Sequence, residues 1–110
     1  MTTPLDIESE LANAELARRA GNEGRARVCA RRAAGAAARA YLTHRGQQLR
    51  NSSAYTALQA LADFPGLSPD LRTAALHLTT PLTEEFKLPV EADLIADARK
   101  LIGELDDKPA

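Results

Sequence analysis

The chain has 110 residues, enough for one domain over residues 1–110 and too few for two. Hydrophobic residues make up 45% of it but aromatic residues only 4%, so leucine and alanine must build the core. A single cysteine excludes an internal disulfide, no stretch approaches the roughly 20 apolar residues of a membrane span, and the net charge of −1 conceals strong local charges. Because the first twenty residues do not form a signal peptide, we expect a cytoplasmic protein without membrane contact.

The sequence predicts five helices, and no stretch alternates apolar and polar residues as a strand does. Thr3 and Pro4 mark the start of the first helix, and Gly21-Asn22 marks its end. The predicted apolar face of this helix consists of Leu5, Glu8, Leu11, Ala12, Leu16 and Ala20.

The longest predicted helix, residues 22–45, comes second, with Asn22 as its N-cap and Gly46 as the residue that ends it. One side carries the small residues Cys29, Ala33, Ala36 and Ala40. Another side carries an arginine every seven residues, at Arg25, Arg32 and Arg39. Because the small side and the partly apolar arginine side both suit packing, we expect a central helix with neighbours on both sides. Cys29 is expected to be a buried structural thiol.

Serine residues mark the starts of the next two predicted helices. Asn51-Ser52-Ser53 caps the third helix, which stops at Phe64-Pro65-Gly66 and has the apolar face Tyr55, Leu58, Leu61 and Ala62. Ser68-Pro69-Asp70 starts the fourth, which ends before Pro81 and has the apolar face Leu71, Ala74, Ala75 and Leu78.

The last part of the chain is predicted to form a turn and a closing helix. Residues 79–88 are expected to form a turn or a short helix anchored by Leu82 and Phe86. Pro89 opens the last helix, with an apolar stripe of Val90, Leu94, Ile95, Ala98, Leu101, Ile102 and Leu105. Residues 106–110 are expected to be a frayed tail.

Charge is segregated along the chain. Residues 1–17 hold four acids and no base, residues 18–50 hold nine arginines and one acid, and residues 51–110 hold ten acids and five bases. Such blocks are typical of proteins with an anionic partner such as nucleic acid. They are equally typical of bundles whose helices neutralise one another, and the acidic flanks have the right size for that.

The helix pattern resembles the HEPN family (higher eukaryotes and prokaryotes nucleotide-binding domain), and in particular its small bacterial members. The resemblance is carried by a basic second helix ending in Ala36-Ala37-Ala38-Arg39-Ala40-Tyr41-Leu42, a third helix with Leu58 and Leu61, and Leu71-Arg72-Thr73-Ala74-Ala75-Leu76-His77-Leu78. Lys87-Leu88-Pro89 stands where one branch of the family has Arg-Tyr-Pro. The resemblance implies an all-α, four- to five-helix up-and-down bundle that pairs as a homodimer. Family roles include RNA-cleaving toxins paired with nucleotidyltransferase antitoxins, nucleotide binding, and inactive scaffolds.

Active members of the family carry an arginine, usually followed by a polar residue, and a histidine a few positions later. Arg39/His44 and Arg72/His77 both have this spacing. His44 falls on the alanine side of its helix, where a core or interface histidine is expected, whereas Arg72 is followed by the polar Thr73. If the chain cleaves RNA without a metal or cofactor, the resemblance implies that Arg72 holds the scissile phosphate and His77 transfers protons. The alternative is a surface arginine and an ordinary helix histidine.

Two functions remain open on the sequence. The first is a HEPN-like protein that binds RNA or a nucleotide through Arg25, Arg32 and Arg39, with a nucleotidyltransferase-type antitoxin as its partner. The second is a non-catalytic dimeric helical scaffold or interaction protein whose arginines serve its own interfaces. Asp93 and Asp97 lie four residues apart with Glu91 nearby, but no histidine joins them, so a solvated helix face is expected there and no metal site.

Overall fold

A computed structural model describes residues 7–51, 53–80 and 93–105 of the chain. The helices are α1 (Ile7–Arg19), α2 (Glu23–His44), α3 (Ala54–Ala62), α4 (Pro69–Thr79) and α5 (Leu94–Leu105). Helices are the only regular structure in these ranges, which confirms the predicted all-α helical bundle. Helix α2 packs against each of the four other helices, as expected of a central helix. Within the described ranges, none of the helices is long and apolar enough to cross a membrane.

Asn22 takes part in both the end of α1 and the start of α2. Gly21 adopts a φ of 81°, and the N–H groups of Gly21 and Asn22 donate to the carbonyls of Arg18 and Ala17 at 3.0 and 2.8 Å. The Oδ1 atom of Asn22 then accepts from the backbone N–H of Arg25 at 3.1 Å. The predicted break at Gly21-Asn22 is therefore confirmed as a tight turn that joins two antiparallel helices.

The other predicted helix ends are also found where the structure describes them. Gly46 has a φ of 81° after α2, as its predicted role requires. Ser53 and Ser68 cap α3 and α4, each accepting a backbone N–H at 3.3 Å. The predicted start at Thr3 and Pro4, the segment with Leu82, Phe86, Pro89 and Val90, and the tail at 106–110 lie outside the described residues.

Leucine and alanine form the core, as the composition predicts. The largest side chains with almost no exposed surface are Leu42, Leu58, Leu61, Leu78, Leu94 and Leu101, and Cys29 is buried among them. Alanines dominate the inner surface of α2, which lets neighbouring helices approach closely. Helices α2 and α3 approach closely at Gly35, where an added Cβ would lie 2.4 Å from the Cβ of Ala54. Gly35 therefore makes room for the start of α3.

Among the described residues of α1, the predicted apolar face is wrong apart from Leu11, and the predicted Leu5 lies outside the described residues. The buried residues are Leu11, Ala14 and Ala17, whereas Ala12, Leu16 and Ala20 are exposed. The helix is turned so that Arg18, next to the buried Ala17, reaches carboxylates on two other helices. Helix α1 therefore buries an alanine face and leaves Leu16 57% exposed.

The predicted small side of α2 is buried only along its first half. Cys29 and Ala33 are fully buried, but Ala36 is half-buried and Ala40 and His44 are exposed. The 13 residues of α1 have a length of about 20 Å, whereas the 22 residues of α2 have a length of about 33 Å. The last turns of α2 therefore extend past Ile7, the first described residue of α1. His44 is therefore not a core residue.

On α3, the prediction is confirmed for Leu58, Leu61 and Ala62, which are buried, and is wrong for Tyr55, which is 42% exposed. Ala54 occupies the contact with Gly35 of α2, and the next residue, Tyr55, is rotated away from that contact. The other tyrosine, Tyr41, packs edge-on against Phe64, with ring centroids 5.7 Å apart.

Candidate functional site

Arg72, one of the two predicted catalytic residues, binds the end of α3. Its Nε atom donates to the carbonyl oxygen of Ala62 at 2.8 Å, and Nη2 donates to that of Phe64 at 3.3 Å. Carbonyls at the C-terminal end of a helix have no partner within the helix, so a guanidinium placed there satisfies them. In the described structure, Arg72 acts as a helix cap supplied by a neighbouring helix.

His77, the other predicted catalytic residue, pairs with α5. Its Nδ1 atom lies 3.0 Å from Oδ2 of Asp97, and the two side chains are 28% and 19% exposed. This contact orients the imidazole through Nδ1. Arg72 therefore contacts the C-terminal end of α3, whereas His77 contacts α5. Although both residues lie on α4, their side chains have partners on different helices. Sequence reasoning did not connect His77 with Asp97, because nothing local links residues twenty positions apart on two helices.

The carboxyl group of Asp97 has a shifted pKa. Burial raises its pKa above the ordinary value of 3.8, and the hydrogen bond and charge of His77 oppose the rise without cancelling it. The negative charge of Asp93 adds to the rise, and Lys100 opposes it. Lys100 itself lies 3.8 Å from Asp70, which makes a second, more exposed contact between α4 and α5.

A single guanidinium, that of Arg18 at the end of α1, joins the starts of α2 and α5. Its Nε and Nη2 atoms donate to the two carboxylate oxygens of Glu23 at 3.2 and 2.8 Å, and Nη1 donates to Asp93 at 2.9 Å. The hydrogen bonds from Arg18 hold the pKa of Glu23 below its usual value. Burial acts in the opposite direction on Asp93, but Arg18 and the N–H group of Ala96 still lower its pKa.

Asp93 also caps α5, since its Oδ1 atom accepts from the backbone N–H groups of Ile95 and Ala96 at 3.1 and 3.2 Å. The expectation of a solvated face was wrong for Asp97, whose side chain is 19% exposed and pairs with His77. The side chain of Asp93 is 53% exposed, although it pairs with Arg18. The cap was detectable in the sequence, where an aspartate directly precedes the apolar pair Leu94 and Ile95.

The three predicted nucleotide- or RNA-binding arginines lie in three different environments. Arg39 donates to the backbone carbonyls of Asn51 and Ser53, before α3, at 2.5 and 3.5 Å. The side chain of Arg32 is 53% exposed, and its Nη1 atom lies 3.9 Å from a carboxylate oxygen of Glu10. Arg25 is exposed. Only Arg25 and Arg32 therefore present their charge outward.

Two other arginines of the basic segment, Arg31 and Arg45, donate hydrogen bonds to backbone carbonyls. Arg31 donates through Nε to the carbonyl of Leu78, near the end of α4, at 2.7 Å. Arg45 donates to the carbonyl of Tyr41 at 3.3 Å and lies 3.6 Å from the centroid of its ring. Many guanidinium groups of the bundle therefore bind backbone carbonyls near helix ends, and others bind carboxylates.

The described helices contain no group of three or more histidine, cysteine, aspartate or glutamate residues that could hold a metal ion. Comparison of the chain with models of protein families, with curated protein sequences and with solved structures finds no match. The HEPN resemblance therefore stays a prediction.

Proposed function

We propose that the chain is a non-catalytic helical interaction protein whose arginines mainly hold its own helices together. The observation that supports this is the use of three guanidinium groups on backbone carbonyls of neighbouring elements. Arg31 binds at the end of α4, Arg72 at the end of α3, and Arg39 at the segment before α3. An arginine in such a position stabilises the fold, because its removal leaves backbone carbonyls without these hydrogen-bond partners.

A HEPN-like RNA- or nucleotide-binding protein is the second candidate function. It is favoured by the outward charge of Arg25 and Arg32, and by the His77 imidazole, which Asp97 orients through Nδ1. Catalysis by Arg72 has a structural obstacle. To hold a phosphate with both donors, the guanidinium would have to release the carbonyls of Ala62 and Phe64. A nucleotidyltransferase-type antitoxin stays a predicted partner of this second candidate only.

A ribonuclease assay separates the two candidates. Wild type, His77→Ala and the control His44→Ala are incubated with a labelled single-stranded RNA in the presence of a chelator. Under the non-catalytic proposal the three proteins give equal, background cleavage. Cleavage that is lost in His77→Ala and kept in His44→Ala would overturn the proposal, because His44 is an exposed histidine at the end of α2 and changes the same residue type.

Self-association is part of the proposal. It is supported by a core built from small side chains and by two leucines, Leu16 and Leu76, that are 57% and 51% exposed. Sedimentation velocity at micromolar concentration should show a species of twice the 11.8 kDa chain mass. A single species at the chain mass would contradict a homodimer.

A further inference from the structure

We propose that α2 docks an acidic amphipathic helix of a partner protein on the basic stripe formed by Arg25, Val28 and Arg32. This inference rests on the proposed function as an interaction protein and names the surface and the chemistry of the partner. The three residues are spaced i, i+3 and i+7, so they follow one side of α2 over about 10.5 Å. Val28 is 39% exposed between the two arginines.

The charges of the basic stripe are weakly used within the fold. Arg25 has a hydrogen bond only through its backbone N–H, and among the described residues its guanidinium has no ion pair. Arg32 has a single described carboxylate nearby, that of Glu10, and the separation of 3.9 Å is too long for a hydrogen bond. By contrast, Arg18, Arg31 and Arg72 each donate at 2.9 Å or less. The stripe therefore offers two positive charges to a partner.

An acidic helix matches this arrangement in both charge and shape. Two carboxylates seven residues apart on one helix face have the same separation as Arg25 and Arg32, and an apolar residue between them would cover Val28. A partner helix with an apolar ridge gains from covering Val28, whereas a phosphate backbone offers this side chain no apolar contact.

A second copy of the chain fits the stripe less well. In a two-fold symmetric interface centred on the stripe, the stripes of two copies would face each other and bring their arginines together. Glu10, the described acid beside Arg32, is largely buried, and its Oε1 atom makes no hydrogen bond among the described residues. It therefore cannot supply the carboxylates that a copy of the stripe would need.

Fluorescence anisotropy with a labelled synthetic helix tests the proposal. The probe is a peptide of about 15 residues in which two glutamates, seven residues apart, flank leucines. A peptide with lysines in their place and a labelled oligouridylate are the comparison ligands. The variant Arg25→Gln/Arg32→Gln should weaken binding of the glutamate peptide about tenfold, which corresponds to two ion pairs with partly covered charges. The matched control, Arg19→Gln/Arg50→Gln, removes two exposed arginines outside the stripe and should change the affinity by less than about twofold.

Two further variants keep the result interpretable. Arg25→Gln alone removes a charge without a described partner in the fold, so its effect on binding is not an effect on folding. Val28→Asn should weaken binding of the peptide and leave that of the oligouridylate unchanged. Equal affinities for the stripe variant and the control, no binding of the glutamate peptide, or tighter binding of the oligouridylate would each overturn the inference. None of these results requires ribonuclease activity, so they leave the proposed non-catalytic function to its own assay.

Discussion

Replacing Arg72 by glutamine should lower the free energy of unfolding by about 2 kcal/mol. A hydrogen bond from a charged group contributes about 1.5–3 kcal/mol. Arg72 makes one short bond, to Ala62 at 2.8 Å, and one longer bond, to Phe64 at 3.3 Å, from a half-buried position. Water can replace part of this interaction in the variant, so the expected loss is near the value of one strong bond. For a chain of this size it corresponds to about 10 °C in melting temperature.

Urea denaturation followed by circular dichroism measures this loss, with Arg25→Gln as the control. Arg25 is exposed and its side chain has no described partner, so the control should stay within about 0.5 kcal/mol of the wild type. Arg72→Lys should lie between the two, because an ammonium keeps the charge but cannot span both carbonyls. Equal stability of Arg72→Gln and Arg25→Gln would refute the capping role and return Arg72 to the list of residues available for a phosphate.

Three further comparisons of variants probe other features. Gly35→Ala should lower the free energy of unfolding by about 1–3 kcal/mol in urea titrations, because its Cβ would lie 2.4 Å from that of Ala54. Gly103→Ala, with nothing within 4 Å of the added carbon, should instead raise it by about 0.5–1 kcal/mol, and a loss at both sites would contradict the steric explanation. Arg39→Gln should destabilise the chain more than Arg32→Gln, since only Arg39 binds backbone carbonyls, and thermal melts of the two variants decide this. Burial raises the pKa of Asp97, so the folded chain holds that proton more tightly than the unfolded chain. The wild type should therefore gain stability relative to Asp97→Asn as the pH falls through the raised pKa towards 3.8, and a gain in the opposite direction would show that His77 outweighs burial.

Local signals in the sequence were sufficient to predict the five helices and the N-caps of α2, α3 and α4, but the cap of α5 at Asp93 was missed. Asn22, Ser53 and Ser68 cap the helices they were expected to cap, because a cap depends on a side chain and an N–H group two or three residues away. The apolar faces were predicted well where leucines mark them, as in α4. They were predicted poorly in α1, where alanines occur on every side and only tertiary contacts decide which side is buried.

The contacts at the candidate site could not be predicted in this way. Arg72 binds the carbonyl oxygens of Ala62 and Phe64, where α3 ends and the turn to α4 begins. His77 binds Asp97 on α5. Such pairs depend on the packing angle of helices, which a periodic pattern does not encode. The spacing of Arg72 and His77 on α4 therefore gave no information about the partners of either side chain.

The sharing of Asn22 between two helices has a consequence for the order of folding. The turn closes a loop of only a few residues, so α1 and α2 can meet at a small entropic cost and on a short timescale. Helix α5 contacts α2 across a far larger sequence separation, and that contact must form against a greater loss of chain entropy. We therefore expect the hairpin to form the folding nucleus, so that substitutions at Asn22 slow folding, whereas substitutions in α5 mainly speed unfolding.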